Sequence, residues 1–392
     1  MDFDILVIGA GPAGQSAALA LARRGHSVGI IERSPLESIA EPAFDGREIA
    51  LTHRSVRVLQ DLGIWSNIPA GAVSALKAAI VMNGGSRYQL KFDPGRSRRE
   101  SLGHLVPNHE IRRAAYRAAA TAPRVSLLTG RGVAAIDSTA GATVVRTSTG
   151  ERFTGRLVIA ADSRFSDARR AAGIAAEMVD FGKTMLVCRM RHEHSHESTA
   201  WEWFQDGCTL ALLPLNDRES SVVITESAQG ARRLQVLGEF EFDAEMERRF
   251  ERRMGRMTLT STRHVYPLVA TYARRFVGPR LAMIGDAAVG MHPVTAHGFN
   301  LALRSQESLV REIEHARACG QDIGADGVLR RYESRHRRDS LPLYLATNAI
   351  VRLYTDRRPL ANACRSLGLR IANRLAPLNR SIVGLLTESG AS

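Results

Sequence analysis

Gly9, Gly11 and Gly14, spaced G-x-G-x-x-G directly behind the apolar run Phe3 to Ile8, are the first residues of this chain whose types and spacing point to chemistry. Each has its own task in a turn that receives a pyrophosphate. Gly9 permits the tight bend, Gly11 lets the ligand approach the backbone, and Gly14 lets the following helix pack on the strand. The spacing predicts that helix from Ala13 to Arg24, with Pro12 in the loop or first turn, where its missing N–H costs little, and Gly25 as the stop. The helix turns its unpaired N–H groups and positive dipole end toward the phosphates. Glu32 ends a second apolar strand, Ser27 to Ile31, about 20 residues beyond the glycines, where a carboxylate can accept the hydroxyls of an adenosine ribose. An acid there favours a free 2′-hydroxyl and selects FAD or NAD over a 2′-phosphorylated nucleotide.

Other candidates follow the same logic of short buried strands that end in polar groups. Leu157 to Ala160 opens onto Asp162, and Leu281 to Ile284 opens onto Gly285 and Asp286, at the carboxyl ends of strands where open α/β sheets bind ligands. Asp162 has a second reading as a local turn former beside a helix that starts near Ser166. Asp286 is suited to a ribityl hydroxyl. The backbone N–H groups of Gly298, Phe299 and Asn300, which open a long helix, suit the electron-rich pyrimidine end of a flavin. Arg47 stands just beyond the strand-helix-strand unit, placed to meet phosphate or ribityl oxygens, although so arginine-rich a chain also carries surface arginines. Asn108 reads as the N-cap of a helix in VPNHEIRRAAYRAAATA, with Arg112 and Arg113 able to point one toward the cofactor and one toward solvent. His292 and His297 are the titratable groups nearest the expected flavin ring by loop position. Either can assist deprotonation of a phenol, or both only shape the loop.

These residues need a scaffold, and the sequence supplies one in alternating texture. Residues 73–92 read as strand material, followed by the polar loop DPGRSRRES, the helix after Asn108, and strands at Val125 to Leu128, Gly132 to Asp137 and Thr143 to Thr147. From Lys183 to Tyr266 the pattern turns to alternating strands, Met185 to Met190, Ala200 to Phe204, Cys208 to Pro214 and Ser220 to Thr225, with a charged helix at about Phe240 to Met254. That is the pattern of an antiparallel sheet with one covered face, inserted between halves of the first domain. The expected division is a discontinuous cofactor domain of residues 1–72, 100–180 and 265–320, a substrate domain of 73–99 and 181–264, and a helical C-terminal region, 321–392. His192, His194 and His196 lie in a polar link without a nearby carboxylate or cysteine cluster, so a solvated loop is expected there and no metal site. Trp201 and Trp203 flank Glu202, but the isoleucine and proline of the flavin-halogenase motif are missing, and alternate strand residues packing on one face explain them.

At 392 residues the chain can bury sizeable cores, and its net charge of +13 is carried almost wholly by arginine, with Lys77, Lys91 and Lys183 the only lysines. A basic surface suits anionic lipid or a nicotinamide dinucleotide, and no aromatic-interleaved basic tract points to nucleic acid. Cys188, Cys208, Cys319 and Cys364 show no pairing or metal spacing. With the first strand beginning at the third residue and no apolar run of ~20, a cytoplasmic protein that can touch a membrane is expected.

The segments IGAGPAG with Glu32, ADSRFS, and IGDAAVGMHPVTAHGFN together resemble the flavoprotein aromatic hydroxylases of the para-hydroxybenzoate hydroxylase type. With DGREIAL, LVPNHEIRR and the tail SLPLYLATNAIVRLYTDRRPLANACRSLGLRIAN, the chain is similar to the ubiquinone-biosynthesis ring hydroxylases, and HPVTAHGFN looks most like the branch that hydroxylates demethoxyubiquinol. The resemblance implies an α/β fold, with a Rossmann-like FAD-binding domain of the glutathione-reductase kind, an inserted antiparallel-sheet substrate domain and a helical tail. It implies that Gly9, Gly11, Ala13 and Gly14 bind the FAD pyrophosphate, Glu32 the adenosine ribose, and Arg47 the ribityl and pyrophosphate region. Asn108 or Arg112 would lie beside the cofactor, Val133 would offer backbone to adenine, and Asp286 with Gly298 to Asn300 would hold the ribityl chain and ring. Pro12, Arg33, Asp162, Gly285 and Pro293 complete the expected cofactor set. The chain departs from the family pattern at Ser163, where the DG motif has glycine, at Val289, where GDAAH has histidine, and at Ala296-His297, where glycine-glutamine is usual.

The implied chemistry is reduction of FAD by a hydride, capture of dioxygen as a flavin hydroperoxide, and electrophilic hydroxylation of an electron-rich ring. No second glycine fingerprint exists, so NAD(P)H as donor would bind transiently across the surface. The substrate implied is a prenylated quinone precursor, demethoxyubiquinol first, with hydroxylation of another ring position or of a small phenol as the alternative. Its chain calls for work at the bilayer surface or beside other ubiquinone-biosynthesis proteins. Two other classes share the flavin segments: a flavin-dependent reductase of polyprenyl chains, and a non-catalytic flavin-binding subunit.

Overall fold

The computed structural model describes residues 1–84, 89–93, 100–205, 207–216, 218–293 and 297–355. Its first layer is a six-stranded sheet in the order Val277–Gly278, Leu281–Met283, Leu157–Ala160, Ile5–Ile8, Val28–Ile31, Val125–Leu128. All neighbours are parallel except the edge pair Val277–Gly278 with Leu281–Met283. The central strands ILVI, VGII and LVIA are buried throughout, and continuous apolar runs are what a sheet covered on both faces selects. The glycine-loop helix Pro12–Ala22 packs on helices Asn108–Ala120 and Gly298–Ala318. On the other face lies a small antiparallel sheet of Val133–Ser138, Thr143–Thr147 and Arg152–Gly155. It comes so close that a Cβ on Gly155 would stand 3.1 Å from Leu6 Cγ.

Register decides where the chemistry gathers. Ile8 pairs with Ile31 and with Ala160, and Ala160 pairs with Met283. Gly9, Glu32, Asp162 and Gly285–Asp286 therefore leave the sheet along one carboxyl edge, at nearly the same height. The strand between Glu48 and Leu51 forms a separate three-stranded sheet with Gly103–Pro107 and Ser74–Leu76 above it.

The second layer is a nine-stranded sheet, ordered Val289–Gly290, His264–Ala273, Ala176–His192, Glu219–Ser227, Cys208–Asn216, Thr199–Gln205, Ala78–Asn83, Gln89–Phe92, with Met257–Leu259 added on Ala176–His192. It is antiparallel apart from the pair Thr199–Gln205 with Ala78–Asn83. One face is roofed by helices Ala228–Val236 and Glu239–Arg249. Trp203, Leu210, Leu212, Val222 and Ile224 interleave there with Phe242, Met246 and Phe250. Trp203 is 1% exposed, and removing such a ring from a packed core costs ~3–5 kcal/mol. Trp201 packs partly buried against the same cluster.

The charged helix expected at 240–254 ends sooner, at Arg249, and a helix not read from the sequence precedes it, held by the Ser227 Oγ accepting the Gly230 N–H at 3.1 Å. The strand expected from Met185 begins at Ala176 and runs past residue 180 through a register shift between Asp180 and Thr184. Sheet membership thus crosses the expected boundaries at 180 and 264. Helix Asp326–Thr355 follows Gly298–Ala318, and residues 356–392 of the expected helical tail, like Cys364 and part of the DPGRSRRES loop, lie outside the described residues. Cys188, Cys208 and Cys319 form no disulfide among the described residues. Among the described residues no helix is long and apolar enough to cross a membrane.

Candidate functional site

The glycine turn is built from close approaches that only glycine allows. Gly9 has φ +104, and a Cβ there would meet Ala161 O and Asp162 Cα at 2.7 Å. A Cβ on Gly14 would lie 2.0 Å from Gly9 O. Gly11 is different: nothing stands within 4 Å of where its Cβ would be. The space in front of it is open, at the start of a helix with Pro12 in its first turn and no side-chain cap, so the first helix N–H groups have no side chain in front of them. Glu32 braces this turn, its Oε2 accepting the Ala10 N–H at 2.7 Å and its Oε1 the Ser34 N–H at 2.8 Å. Each oxygen keeps a lone pair for a further donor. Arg131 N–H reaches Glu32 O at 2.8 Å, which brings the strand starting at Val133 beside the same end. Arg33 is exposed and 3.6 Å from Asp167.

A second uncapped helix start faces the same edge. Gly298 opens the helix Gly298–Ala318 with no side-chain cap, and nothing lies within 4 Å of its Cβ position. Phe299 is half-buried. Asn300 is 2% exposed, and its amide is committed to the scaffold: Oδ1 accepts the Thr52 N–H at 3.1 Å and Nδ2 donates to Ala50 O at 2.8 Å. Gly285 lets the two helices close up, with Ala13 and Ala302 methyls each 3.3 Å from its Cβ position. Asp286 Oδ2 accepts from Arg164 Nη2 at 3.1 Å, and Arg164 Nη1 donates to Val269 O at 2.7 Å.

Several side chains are used differently from their sequence readings. Asp162 takes its turn-former role: Oδ1 accepts the Ser166 hydroxyl at 2.6 Å and Oδ2 the Ala168 N–H at 3.3 Å, while its backbone lies against Gly9. Asn108 is the first helical residue rather than the N-cap, which is Pro107. Its Nδ2 instead donates to Asp45 Oδ2 at 2.7 Å. Arg47 grips the same oxygen through Nη2 at 2.7 Å and lies 5.3 Å over the Tyr266 ring. Burial pushes the Asp45 carboxyl up, but Arg47 and Asn108 outweigh it and hold it below the usual carboxylate range. Arg112 reaches Ser38 O at 3.5 Å, at the limit of a hydrogen bond. Arg113 pairs with Glu41 and Glu110.

The loop after the second glycine-aspartate pair holds two histidines. His292 is 5% exposed and edge-on to Phe181, ring centroids 4.8 Å apart. Burial, helped by Arg164, pushes its imidazole down to about 4. Burial there disfavours the charged imidazolium. His297 is also buried, directly before the helix start, while Pro293 is exposed. Residues 294–296 of this loop, including Ala296, lie outside the described residues. The histidines of the polar link do structural work: His192 bonds His194 O at 2.6 Å and Ser220 Oγ at 2.9 Å.

Residues that sequence reasoning missed connect the two layers. Glu48 has a side chain with no exposure and accepts from Arg189 Nη2 at 2.6 Å. Burial raises its carboxyl to about 7 against the pull of Arg189. Phe44 lies under the Arg189 guanidinium at 5.0 Å.

Comparison with known proteins identifies the family. Residues 2–338 match the family model described as FAD binding domain. The chain is 46% identical to the ubiquinone hydroxylase UbiM of Neisseria meningitidis, over 98% of this chain and 84% of that one. It is 28% identical to the 3-demethoxyubiquinol 3-hydroxylase of Escherichia coli, over 96% of each. In fold it superposes on PqsL of P. aeruginosa, solved with 2-aminobenzoylacetate, with a TM-score of 0.77 at 21% identity, covering 92% of this chain and 98% of that one. Fold, glycine turn and family match together define a FAD-dependent monooxygenase. The chain belongs to the ubiquinone hydroxylase family of these enzymes.

Proposed function

We propose that this chain hydroxylates the aromatic ring of a prenylated ubiquinone precursor, demethoxyubiquinol foremost, with FAD, dioxygen and NAD(P)H as electron donor. The observation that carries this reading is the meeting of two uncapped helix starts, at Gly11 and Gly298, on one sheet edge with open space before each. Such a paired anion cradle fits a diphosphate at one end and the pyrimidine of a flavin at the other. Gly9, Gly11, Pro12, Ala13 and Gly14 would then hold the pyrophosphate, Glu32 and Arg33 the ribose side, and Val133 the adenine. Arg47, Asn108, Arg112, Gly285 and Asp286 would line the ribityl chain, and Pro293 with Gly298 to Asn300 the ring. Asp162 supports the turn through its backbone.

The flavin, when bound, supplies the two-electron chemistry that divides dioxygen between ring and water. The chain's own part is to bind, orient and exclude water. The Asp45–Arg47–Tyr266 cluster fixes the ribityl side, and the Glu48–Arg189 pair holds the nine-stranded sheet against it. In this reading residues 1–72, 100–180 and 265–320 serve the cofactor, and 73–99 and 181–264 cover the ring. Leu341 and Leu345 are exposed one turn apart on helix Asp326–Thr355, between Arg338 and Arg352, a face suited to peripheral contact with an anionic bilayer. A polyprenyl substrate makes such contact useful, since each buried CH₂ is worth ~0.8 kcal/mol and the lipid does not cross water freely.

Mass analysis of quinone intermediates in cells lacking the protein tests the reading. Accumulation of demethoxyubiquinone supports it, accumulation of a differently substituted ring moves the position, and normal ubiquinone removes it.

A further inference from the structure

Trp201 and Trp203 fix, by alternation, which way Glu202 points. Both indoles belong to the cluster under helix Glu239–Arg249, and Trp203 Nε1 donates to Gly84 O at 3.0 Å. Glu202 therefore lies on the opposite face of the nine-stranded sheet. Register carries that face across the strands: Glu202 pairs with Ala211, Ala211 with Val223, and Val223 with Val187. Val187 meets the Arg47 loop, because a Cβ on Gly46 would be 2.8 Å from Val187 Cγ2. Val187, Met185 and Leu268 also pack with Tyr266 and Phe181, and Phe181 is the ring that His292 touches. Glu202 thus stands on the face that looks toward both cofactor-side loops.

Glu202 is half-buried on that face, and burial raises its carboxyl to about 8, with no charged group among the described residues contributing. The floor beside it is cut low by Ala211. On the same face, Ser221 is fully buried and its hydroxyl has no hydrogen-bond partner among the described residues. A buried hydroxyl of this kind calls for a partner outside the described protein groups, an ordered water or a polar group of a ligand.

Two of the described titratable groups near this face are engaged within the protein. Arg189 is held by Glu48, and His264 lies 2.9 Å from Thr262 Oγ1 and 5.5 Å from the Phe44 ring. Strands Ser74–Leu76 and Gly103–Pro107 pack over Cys208–Asn216 and bring His104, which faces His53 at 5.8 Å and Trp65 at 6.0 Å.

We propose that Glu202 contacts the phenolic substrate directly and accepts the proton of its ring hydroxyl during hydroxylation. This rests on the activity proposed above. The substrate O–H bond breaks, its proton passes to a Glu202 oxygen, and the electron pair left on oxygen feeds into the ring. The activated ring carbon forms its C–O bond with one atom of dioxygen, the oxidant, while the other atom leaves as water and a reduced nicotinamide supplies both electrons. The proton on that carbon is lost as aromaticity returns, and Glu202 gives its own proton back to the ring oxygen. Glu202 must be ionised to accept, so the rate should rise as pH passes through about 8.

The test uses the FAD-loaded enzyme with demethoxyubiquinol, reduced nicotinamide and air, reading hydroxylated product against hydrogen peroxide. Glu202→Gln should keep its flavin and melting temperature, lose ~100-fold or more in kcat, divert electrons to peroxide, and flatten the rise in rate near pH 8. Glu202→Asp should recover part of the coupling. Wild-type coupling and pH profile in Glu202→Gln would overturn the proposal. A second arm needs no variant: the wild-type enzyme given a substrate capped as a methyl ether at the ring hydroxyl should make peroxide instead of product, and normal hydroxylation of the ether would equally overturn it. Wild type run in parallel separates the two levels, since a wrong substrate shows as failure of both proteins and a wrong residue as success of both.

Discussion

The glycine turn and the inner face of the nine-stranded sheet make their sites in opposite ways. At the turn the working groups are backbone N–H donors, and what matters is the side chains that are missing: Gly14 because its Cβ would collide with Gly9 O, Gly11 because its Cβ would fill the cradle. On the sheet the groups are side chains, Glu202 and Ser221 on the face proposed to meet the substrate, brought together from separate strands by register. A backbone site is written within a few consecutive residues. A register site exists only after the whole sheet has paired.

Gly14→Val should break the first region most completely. A side chain cannot occupy a point 2.0 Å from a backbone oxygen, so strand and helix must separate, and neither flavin absorbance nor a cooperative melt near the wild-type temperature is expected. Gly11→Leu sharpens the contrast. It should melt within a few degrees of wild type, since nothing in the protein opposes the new side chain, yet lose ~100-fold or more in flavin affinity, about 3 kcal/mol, by titration. A Gly11 variant that binds FAD normally would show that the cradle is not the pyrophosphate site.

Asp286→Ala should weaken FAD by ~10- to 100-fold, the worth of a hydrogen bond to a charged group at about 1.5–3 kcal/mol. His192→Ala should leave flavin content unchanged, because the described bonds of His192 go to its own link and to Ser220. Equal flavin loss in both would place the ribityl contact elsewhere.

The smallest effect concerns how the layers are tied. Glu48 in the folded protein is raised to about 7 from an ordinary value near 4.5. A carboxyl raised on folding contributes its stability below the unfolded value and loses it as pH climbs through the folded one. Wild type should therefore lose melting temperature between about pH 4.5 and 7 relative to Glu48→Gln. Parallel pH–melting curves would mean that Arg189 keeps Glu48 charged throughout.

The same contrast explains what could be read from the sequence. The strand before Gly9, the strand ends at Glu32 and Ala160, and the helix start at Gly298 follow from local apolar runs and glycines, and the first helix begins at Pro12, one residue before the expected Ala13. Asn108 was misplaced by one position because Pro107 holds the cap and Asp45, a residue 63 positions away, claims its amide. Tyr266 reaches Asp45 O across 221 residues, and no periodicity announces such a partner. Arg164 had a local signal, its place inside ADSRFS, but its pairing with Asp286 depends on two parallel strands adjoining. Glu202 was visible as the residue between two tryptophans. Its direction became informative only when the indoles were seen to fill the opposite face.

Incubation of the purified FAD-loaded enzyme with demethoxyubiquinol, NAD(P)H and isotopically labelled dioxygen, followed by mass analysis of the quinone, tests the assigned activity at its root. One labelled oxygen on the ring, the other in water, is the expected outcome. Label confined to hydrogen peroxide or water, with the quinone unchanged while the flavin is still reoxidised, would contradict it.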